Sequence, residues 1–366
     1  MVQQTGSGHD RRVTPGVVQC AEIWPRAVRD RSLCNGCFVL GRPGDLIPAV
    51  HRPVSTRAVH FTTGLSRRRI ALWLQELPGT NPGSDSSLSM PGGETRVPGM
   101  LAADDARNRL DSARIVRESF VEQVRSHETI DSTNDDALEF CRNNPCPVPL
   151  LVVTSRQTAG RGRGSNQWWS SAGALTCSLV IQPAHFGIVE QQWPKASLTT
   201  GLAICLALDT LARQQEVALK WPNDVWMNRR KICGILIEVG GRRPTPTLVI
   251  GIGINVNNSF AGAPDELQEI ATSLADTTGT AFDLTGVLVE VLGELERQLA
   301  RLRDDDPQLA VEWQARCALR GRFVELEAGR KKIQGTCLGI DAEGALMLQT
   351  PTGQERFFGG VITQIH

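Results

Sequence analysis

Hydrophobic and polar positions follow two regimes along this chain. Residues 1 to about 110 interrupt every apolar run with Pro43-Gly44, Pro78-Gly79, Pro82-Gly83 and Pro91-Gly92-Gly93, and add a serine-rich stretch from Ser84 to Ser89. From about residue 113 the apolar runs alternate between strand-like and helix-like lengths, which marks the start of a compact region. Pro149 to Thr154 and Ala174 to Ile181 read as buried strands, with a glycine-rich loop between them. Ala196 to Gln215 keeps apolar residues at helical spacing and predicts a largely buried helix. Val217 to Trp221, then a turn at Pro222-Asn223-Asp224, then Lys231 to Val239 and Thr247 to Val256 predict three more strands. Asp283 stands at the N-cap of a further helix that ends near Asp304. The last fifty residues hold four short strand-like runs separated by glycine- and aspartate-containing turns, the pattern of a small β-barrel.

Composition narrows the class. The formal net charge is +0, so any anion site must be local rather than a property of the whole surface. No apolar run reaches the roughly 20 residues of a spanning helix, and ten scattered cysteines suit reduced thiols, so a cytoplasmic protein is expected. Cys34 and Cys37 form a lone CxxC, read as coincidence rather than a metal site because a second pair is missing. The mildly basic residues 1–112 are expected to form a disordered extension. The chain holds 34 arginines and only 5 lysines, so a lysine that persists does something the broad guanidinium fork does not.

The densest chemical signal is Gly160-Arg161-Gly162-Arg163-Gly164, preceded by Gln157 and followed by Trp168. Alternate glycines leave backbone N–H groups open, and two arginines add charge that suits a carboxylate or a polyphosphate. The spacing excludes both familiar phosphate loops, since GxGxxG would need glycine at Ser165 and no GxxxxGK[ST] occurs. Read by itself, the loop is equally compatible with a surface turn or an RNA-binding tract. Three other segments change that balance. Asp131-Ser132-Thr133-Asn134 puts small polar side chains where a strand gives way to a helix, as caps or as ligand contacts. Lys220 and Lys231 lie eleven residues apart around a turn, so a hairpin lets both ammonium groups face one pocket. In Gly251-Ile252-Gly253-Ile254-Asn255 the small residues allow a flat ligand close approach.

Taken in order, the DSTN (131–134), GRGRG (160–164), KWPND (220–224), KxCGIL (231–236) and GIGIN (251–255) segments resemble the biotin protein ligase family over about residues 113 to 366. The tail, with Gly339-Ile340-Asp341, Gly344-Ala345-Leu346 and Gly359-Gly360, is similar to that family's SH3-like barrel. The resemblance implies an α/β (α+β) fold with a central mixed sheet flanked by helices, plus a small C-terminal SH3-like β-barrel. It implies a catalytic domain over 113–315 and a C-terminal domain over 316–366. It further implies an ATP- and Mg2+-dependent enzyme that forms biotinyl-5′-AMP and transfers biotin to a lysine of a biotin carboxyl carrier protein, an acetyl-CoA carboxylase subunit or a related one.

Carried over by position, the biotin contacts fall on Ser132, Thr133, Asn134, Gln157, Arg161, Gly162, Arg163 and Lys231, with Gly160 and Gly234 shaping the same pocket. The nucleotide side falls on Arg163, Trp168, Lys220, Asn223, Asp224 and Asn255. Lys231, Arg163 and Asp224 become the catalytic set, Asp224 also being the contact for magnesium. The sequence departs from the common pattern at Ser165, where many members have glycine, and at Asn166, near which many carry a basic residue. Residues 1–110 do not read as the three compact helices of a DNA-binding domain, so an enzyme without a repressor function is expected, with no DNA or membrane partner. A homodimer is compatible with the resemblance. The competing readings are a lipoate ligase or octanoyltransferase, against which KWPND and GRGRG argue together, and a non-catalytic or nucleic-acid-binding module, against which the neutral charge argues.

Overall fold

The computed structural model describes residues 106–366 apart from 144–147, 243–244, 262 and 264. The extension expected over 1–112 falls, up to residue 105, outside the described residues, as does the Cys34/Cys37 pair. Helix α1 (Ser112–Glu118) opens the folded region, and the Asp111 side chain caps it by accepting from the Arg114 N–H.

A seven-stranded sheet follows, built from β1 (Gln123–Ile130), β2 (Leu150–Gln157), β3 (Ala174–Ile181), β4 (Val217–Lys220), β5 (Asp224–Met227), β6 (Arg230–Arg242) and β7 (Thr245–Asn255). Its order is β1-β2-β3-β7-β6-β5-β4. Only β1 and β2 run parallel; the other neighbours are antiparallel, so the sheet is mixed. The parallel pair needs a crossover, and helix α2 (Thr133–Asn143) supplies it.

Strand alternation assigns the two faces. Leu151 and Val153 of β2, Leu175, Cys177, Leu179 and Ile181 of β3, and Leu248, Ile250, Ile252 and Ile254 of β7 point into the larger core. That core is shared with helix α3 (Ala196–Leu211) and the long helix α6 (Leu284–Arg303). Leu150, Val152, Val180 and Val249 point the other way, into a smaller cluster with Ala137 and Cys141 of α2. The smaller face is where the site lies.

Helix α6 begins at the expected cap: Asp283 accepts from the Thr285 and Gly286 N–H groups, and Arg301 and Arg303 sit in the last turn where cations favour the helix dipole. Helix α3 stops at Leu211 instead of Gln215. The Ala212 N–H makes the last helical bond, and Gln214 takes a φ of +82°, because the chain must reverse there to enter β4. Asp224, expected in a turn, is instead the first residue of β5, paired to Lys220 on one side and Gly234 on the other.

Two short helices, α4 (Asp265–Ile270) and α5 (Leu274–Thr278), precede α6, and α7 (Gln308–Ala315) leads to the C-terminal strands. These are β8 (Phe323–Ala328), β9 (Lys331–Ile340), β10 (Leu346–Thr350), β11 (Gly353–Phe357) and β12 (Val361–Ile365), all antiparallel, in the order β11-β10-β9-β8-β12. The two sheets are tied: the Trp221 indole, 1% exposed, donates from Nε1 to the Gly344 carbonyl at 3.1 Å, and Leu219 bridges to Cys317.

Candidate active site

On the α2 face of the sheet, aliphatic side chains give way to small and polar ones. Thr176 and Ser178 continue the β3 row that holds Val180, and Gly251, Gly253 and Asn255 continue the β7 row that holds Val249. Gly234, Leu236 and Glu238 lie opposite Gly253, Gly251 and Val249 on β6. The glycines clear space: a Cβ at Gly251 would collide with the Asn134 amide, and one at Gly253 with the Trp168 indole. The flat group stacked on Gly253 is therefore a side chain of the Gly/Arg loop itself. Its Nε1–H is buried with no hydrogen-bond acceptor among the described residues.

The start of α2 is stitched to this face. Gln157, at the end of β2, accepts at Oε1 from the Thr133 N–H at 2.7 Å and from the Thr133 hydroxyl at 3.1 Å, so a strand side chain satisfies a free helix-terminal donor. Ser132 contributes only a long cap contact, 3.4 Å from the Asp135 N–H. The Ser178 hydroxyl donates to Asn134 Oδ1 at 2.5 Å and lies 2.7 Å from Thr133 Oγ1. The Asn134 amide nitrogen donates to the Leu236 carbonyl at 3.2 Å and to Glu238 Oε2 at 2.9 Å. Ser132, Thr133, Asn134 and Ser178 are all buried, so this is a desolvated polar network of fixed orientation.

The loop is a tight hairpin. The Trp168 N–H bonds the Gly160 carbonyl at 2.9 Å, the Gly162 N–H bonds the Asn166 carbonyl at 2.8 Å, and Gly164 turns the tip with φ +67°. At Gly160 a Cβ would strike the Trp168 backbone, so glycine is needed for the strands of the hairpin to close. Ser165 and Asn166, the positions that depart from the common pattern, are exposed on this turn. The two arginines have different surroundings. Arg161 is held by Glu238 and Asp135; Arg163 donates from Nη1 to the Gly360 carbonyl of the C-terminal sheet at 2.7 Å. Burial works against the Arg163 charge and lowers its pKa, while Asp224 pulls in the opposite direction.

The third part is a charged triad. Asp224 accepts from Lys231 Nζ at 2.7 Å and from Lys220 Nζ at 3.3 Å, and its side chain is only 12% exposed. Burial alone would push this carboxyl up, but Lys231 and then Lys220 outweigh it and hold Asp224 below the ordinary carboxylate range. The sign follows from a depressed folded-state pKa: the stabilisation is complete above the ordinary range and is lost only as pH falls through the lowered value. Lys231 Nζ is also 3.3 Å from where a Cβ at Gly234 would stand, and Trp168 Cε3 is 3.5 Å from the same point. Lysine, glycine floor and indole thus meet at one place.

Asn223 and Asn255 lie nearby but are already engaged. Asn223 Nδ2 donates to the Ile235 carbonyl at 2.8 Å and fastens the β4–β5 turn to β6, and Asn255 Oδ1 accepts from Asn258 at 3.1 Å. No group of three or more His, Cys, Asp or Glu side chains that could hold a metal occurs among the described residues. Asp224, already between two ammonium groups, does not by itself make a resident metal site. Two further participants, Ser178 and Glu238, are absent from the set assigned by sequence. For Ser178 the signal was present, since Thr176, Ser178 and Val180 share one face of an otherwise apolar strand.

The sequence match over these strands places the mixed sheet, with its glycine floor beneath an Arg-bearing hairpin and its lysine–aspartate triad, among ligases of the biotin and lipoate type. Residues 126–255 match the Biotin/lipoate A/B protein ligase family, and residues 321–363 match the Biotin protein ligase C terminal domain. The chain is 33% identical over 273 residues to the bifunctional ligase/repressor BirA of Bacillus subtilis, covering 73% of this chain and 80% of that protein. It is 34% identical over 223 residues to the biotin–[acetyl-CoA-carboxylase] ligase of Mycobacterium tuberculosis, covering 59% of this chain and 79% of that one. The fold superposes on the biotin protein ligase of Aquifex aeolicus in complex with biotin and ATP with a TM-score of 0.57 at 28% identity, covering 66% of this chain and 98% of the other. The chain belongs to the biotin protein ligase family.

Proposed function

We propose that the glycine floor of β6 and β7, roofed by the 160–168 hairpin, is where this chain makes and holds biotinyl-5′-AMP. The enzyme is an ATP-dependent biotin protein ligase that activates biotin and transfers it to the lysine of a biotin carboxyl carrier protein. The observation that carries the site reading is the convergence on one sheet face of Asn134 over Gly251, Trp168 over Gly253, and Lys231 beside Gly234. We read residues 113–315 as the catalytic domain and 316–366 as the C-terminal domain, in keeping with the two separate sheets.

In this reading Ser132, Thr133, Asn134 and Gln157 take biotin's ureido ring, with Gly160 and Gly162 giving the loop its close approach. Lys231 and Arg163 take the carboxylate and the α-phosphate. Lys220, Asn223, Asp224, Trp168 and Asn255 line the nucleotide side. Magnesium would enter with the substrate as MgATP, held largely by the phosphates and water, and Asp224 is the carboxylate that could contact it. In the first step a biotin carboxylate oxygen bonds to the α-phosphorus and pyrophosphate leaves. In the second, the carrier lysine's amine bonds to the acyl carbon and AMP leaves with the anhydride oxygen. The first step brings two anions together, so its barrier depends on cations fixed before the reactants arrive. Lys231 fits that requirement because Asp224 fixes its position at 2.7 Å.

A cytoplasmic setting is supported by Cys177, Cys205, Cys233, Cys317 and Cys337, which are buried thiols outside any disulfide. Among the described residues no helix is long and apolar enough to cross a membrane.

The reading is tested by incubating the protein with labelled biotin, ATP and a carrier domain. Label is expected on the carrier's lysine, and lipoate offered in place of biotin is expected to give none. Transfer of lipoate alone would defeat it. The floor itself is tested by Gly251→Ala. The added methyl displaces the Asn134 amide, so biotin affinity is expected to fall by about tenfold or more, on the scale of losing a buried hydrogen-bonding partner, with kcat at saturating biotin much less affected. An unchanged KM for biotin in that variant would remove Asn134 from the pocket.

A further inference from the structure

Arg161 and Arg163 lie two residues apart on one hairpin, yet their nitrogens are occupied differently. All three Arg161 nitrogens face carboxylates. Nη1 donates to Glu238 Oε1 at 3.1 Å, Nη2 to Glu238 Oε2 at 2.6 Å and to Asp135 Oδ1 at 2.7 Å, and Nε to Asp135 Oδ2 at 3.1 Å. Burial works against this guanidinium, but Glu238 and then Asp135 more than offset it and its pKa is raised. Four of its five N–H donors are thus engaged by carboxylates, which leaves a single Nη1 N–H and no bidentate fork for an arriving anion. Arg163 meets no carboxylate at ion-pair distance among the described residues; it donates instead to a neutral carbonyl, that of Gly360.

Glu238 joins this clasp to the pocket. The same Oε2 that receives Arg161 also receives the Asn134 amide nitrogen, at 2.9 Å. Both Asn134 N–H bonds are therefore used, one on Glu238 and one on the Leu236 carbonyl. Flipping the amide would set its oxygen against the Glu238 carboxylate, so the charge fixes which end faces the pocket. That end is Oδ1, an acceptor, held over Gly251 by Ser178. A ureido ring presents N–H donors, and an oriented acceptor is what it requires.

We propose that Glu238 is a positioning residue that locks Asn134 and the Gly/Arg hairpin into one unit, with Arg161 serving as the hairpin's anchor on it and not as a ligand for the substrate's carboxylate. The inference rests on the functional reading above and deepens it. Occupying the ureido end of the pocket and holding the hairpin down become one event, because both pull on the same carboxylate. The anion is left to Arg163 and Lys231.

Two measurements test this, using the full chain: biotin affinity by calorimetry with biotin alone, and the rate at which preformed biotinyl-AMP is released in a chase. Glu238→Ala is expected to weaken biotin by about tenfold and to speed release by about tenfold, the scale of a lost charge-assisted hydrogen bond. Arg161→Ala is expected to speed release by the same factor, and the double variant to release no faster than either single one. Glu238→Gln keeps an oxygen for Asn134 but gives up the charge that holds Arg161. It is expected to release as fast as Arg161→Ala while keeping biotin affinity within about threefold of the parent. Release effects that multiply in the double variant, or a Glu238→Gln that retains adenylate like the parent, would overturn the proposal. If Glu238→Ala does not fold, the comparison of Glu238→Gln with Arg161→Ala decides alone. A parent protein that binds no biotin would count against the functional reading itself, a result distinct from either of these.

Discussion

Lys231→Ala is expected to slow biotin-dependent pyrophosphate release by roughly 30- to 1000-fold, or about 2–4 kcal/mol of transition-state stabilisation, the scale of removing one preorganised donor from a developing anion. The effect is expected in kcat as well as in kcat/KM, because the charge matters most when carboxylate and phosphate oxygens are closest. Its specificity can be checked within the triad. The Lys231 backbone, which accepts from the Thr272 N–H at 3.0 Å, is untouched by the substitution, so the strand should stay in register. Asp224 keeps Lys220 at 3.3 Å, and loss of the 2.7 Å partner should let its pKa rise toward the ordinary range. Lys231→Arg restores charge but places a planar fork where a compact ammonium fits, so only partial recovery is expected. Normal pyrophosphate release by Lys231→Ala would refute the assignment.

The second large effect is expected for Arg163→Gly. This arginine joins the hairpin to the C-terminal sheet through the Gly360 carbonyl, and it is the loop cation that carboxylates leave free. Removing it takes away both the tie and the charge facing the intermediate. Biotinyl-AMP is expected to escape about 10- to 100-fold faster, the range for a charge-assisted hydrogen bond. Escaped adenylate reacts with any exposed amine, so a streptavidin blot of mixed proteins should show label spread over many lysines. Adenylation should survive better than in Lys231→Ala, which separates retention from chemistry. Full selectivity for the carrier in that blot would end the idea that the hairpin gates release.

Much of this architecture was legible in the sequence because its signals are local. The apolar run at Ala174 to Ile181, the Asp283 cap and the breakers around the Gly/Arg loop each dictate structure over a few residues, and the structure has them there. The sequence carries α3 on to Gln215 because no local signal stops a helix of alanine and leucine; the stop at Leu211 is set by the chain's need to turn into β4 at Gln214. The whole of β5, Asp224–Met227, is absent from the strands that the sequence predicts, since Pro222-Asn223-Asp224 is turn chemistry and the four residues form a strand only by pairing with β4 and β6.

The site divides in the same way. Motif order located the residues, but not their partners. Nothing in the spacing of Arg161 and Arg163 foretells that one meets two carboxylates and the other a backbone carbonyl nearly two hundred residues later. Glu238 escaped notice because it sits within an apolar strand, and only the pairing of β6 with β7 places it beside Asn134. Contacts of high sequence separation are what a linear reading lacks, and active sites are made of them.

The glycine floor also limits how the pocket can be remodelled. Gly251 and Gly253 already carry the smallest possible side chain, and each lies against a group that a single methyl would displace. Selection for bulkier analogues of the substrate therefore has nothing to gain at Gly251 or Gly253, where every substitution narrows the space. Over Gly253 room comes from above, through Trp168 and the residues that hold its hairpin in place. The side that can be enlarged is also the side that keeps the intermediate in, so broader substrate acceptance and leakiness should be inherited together.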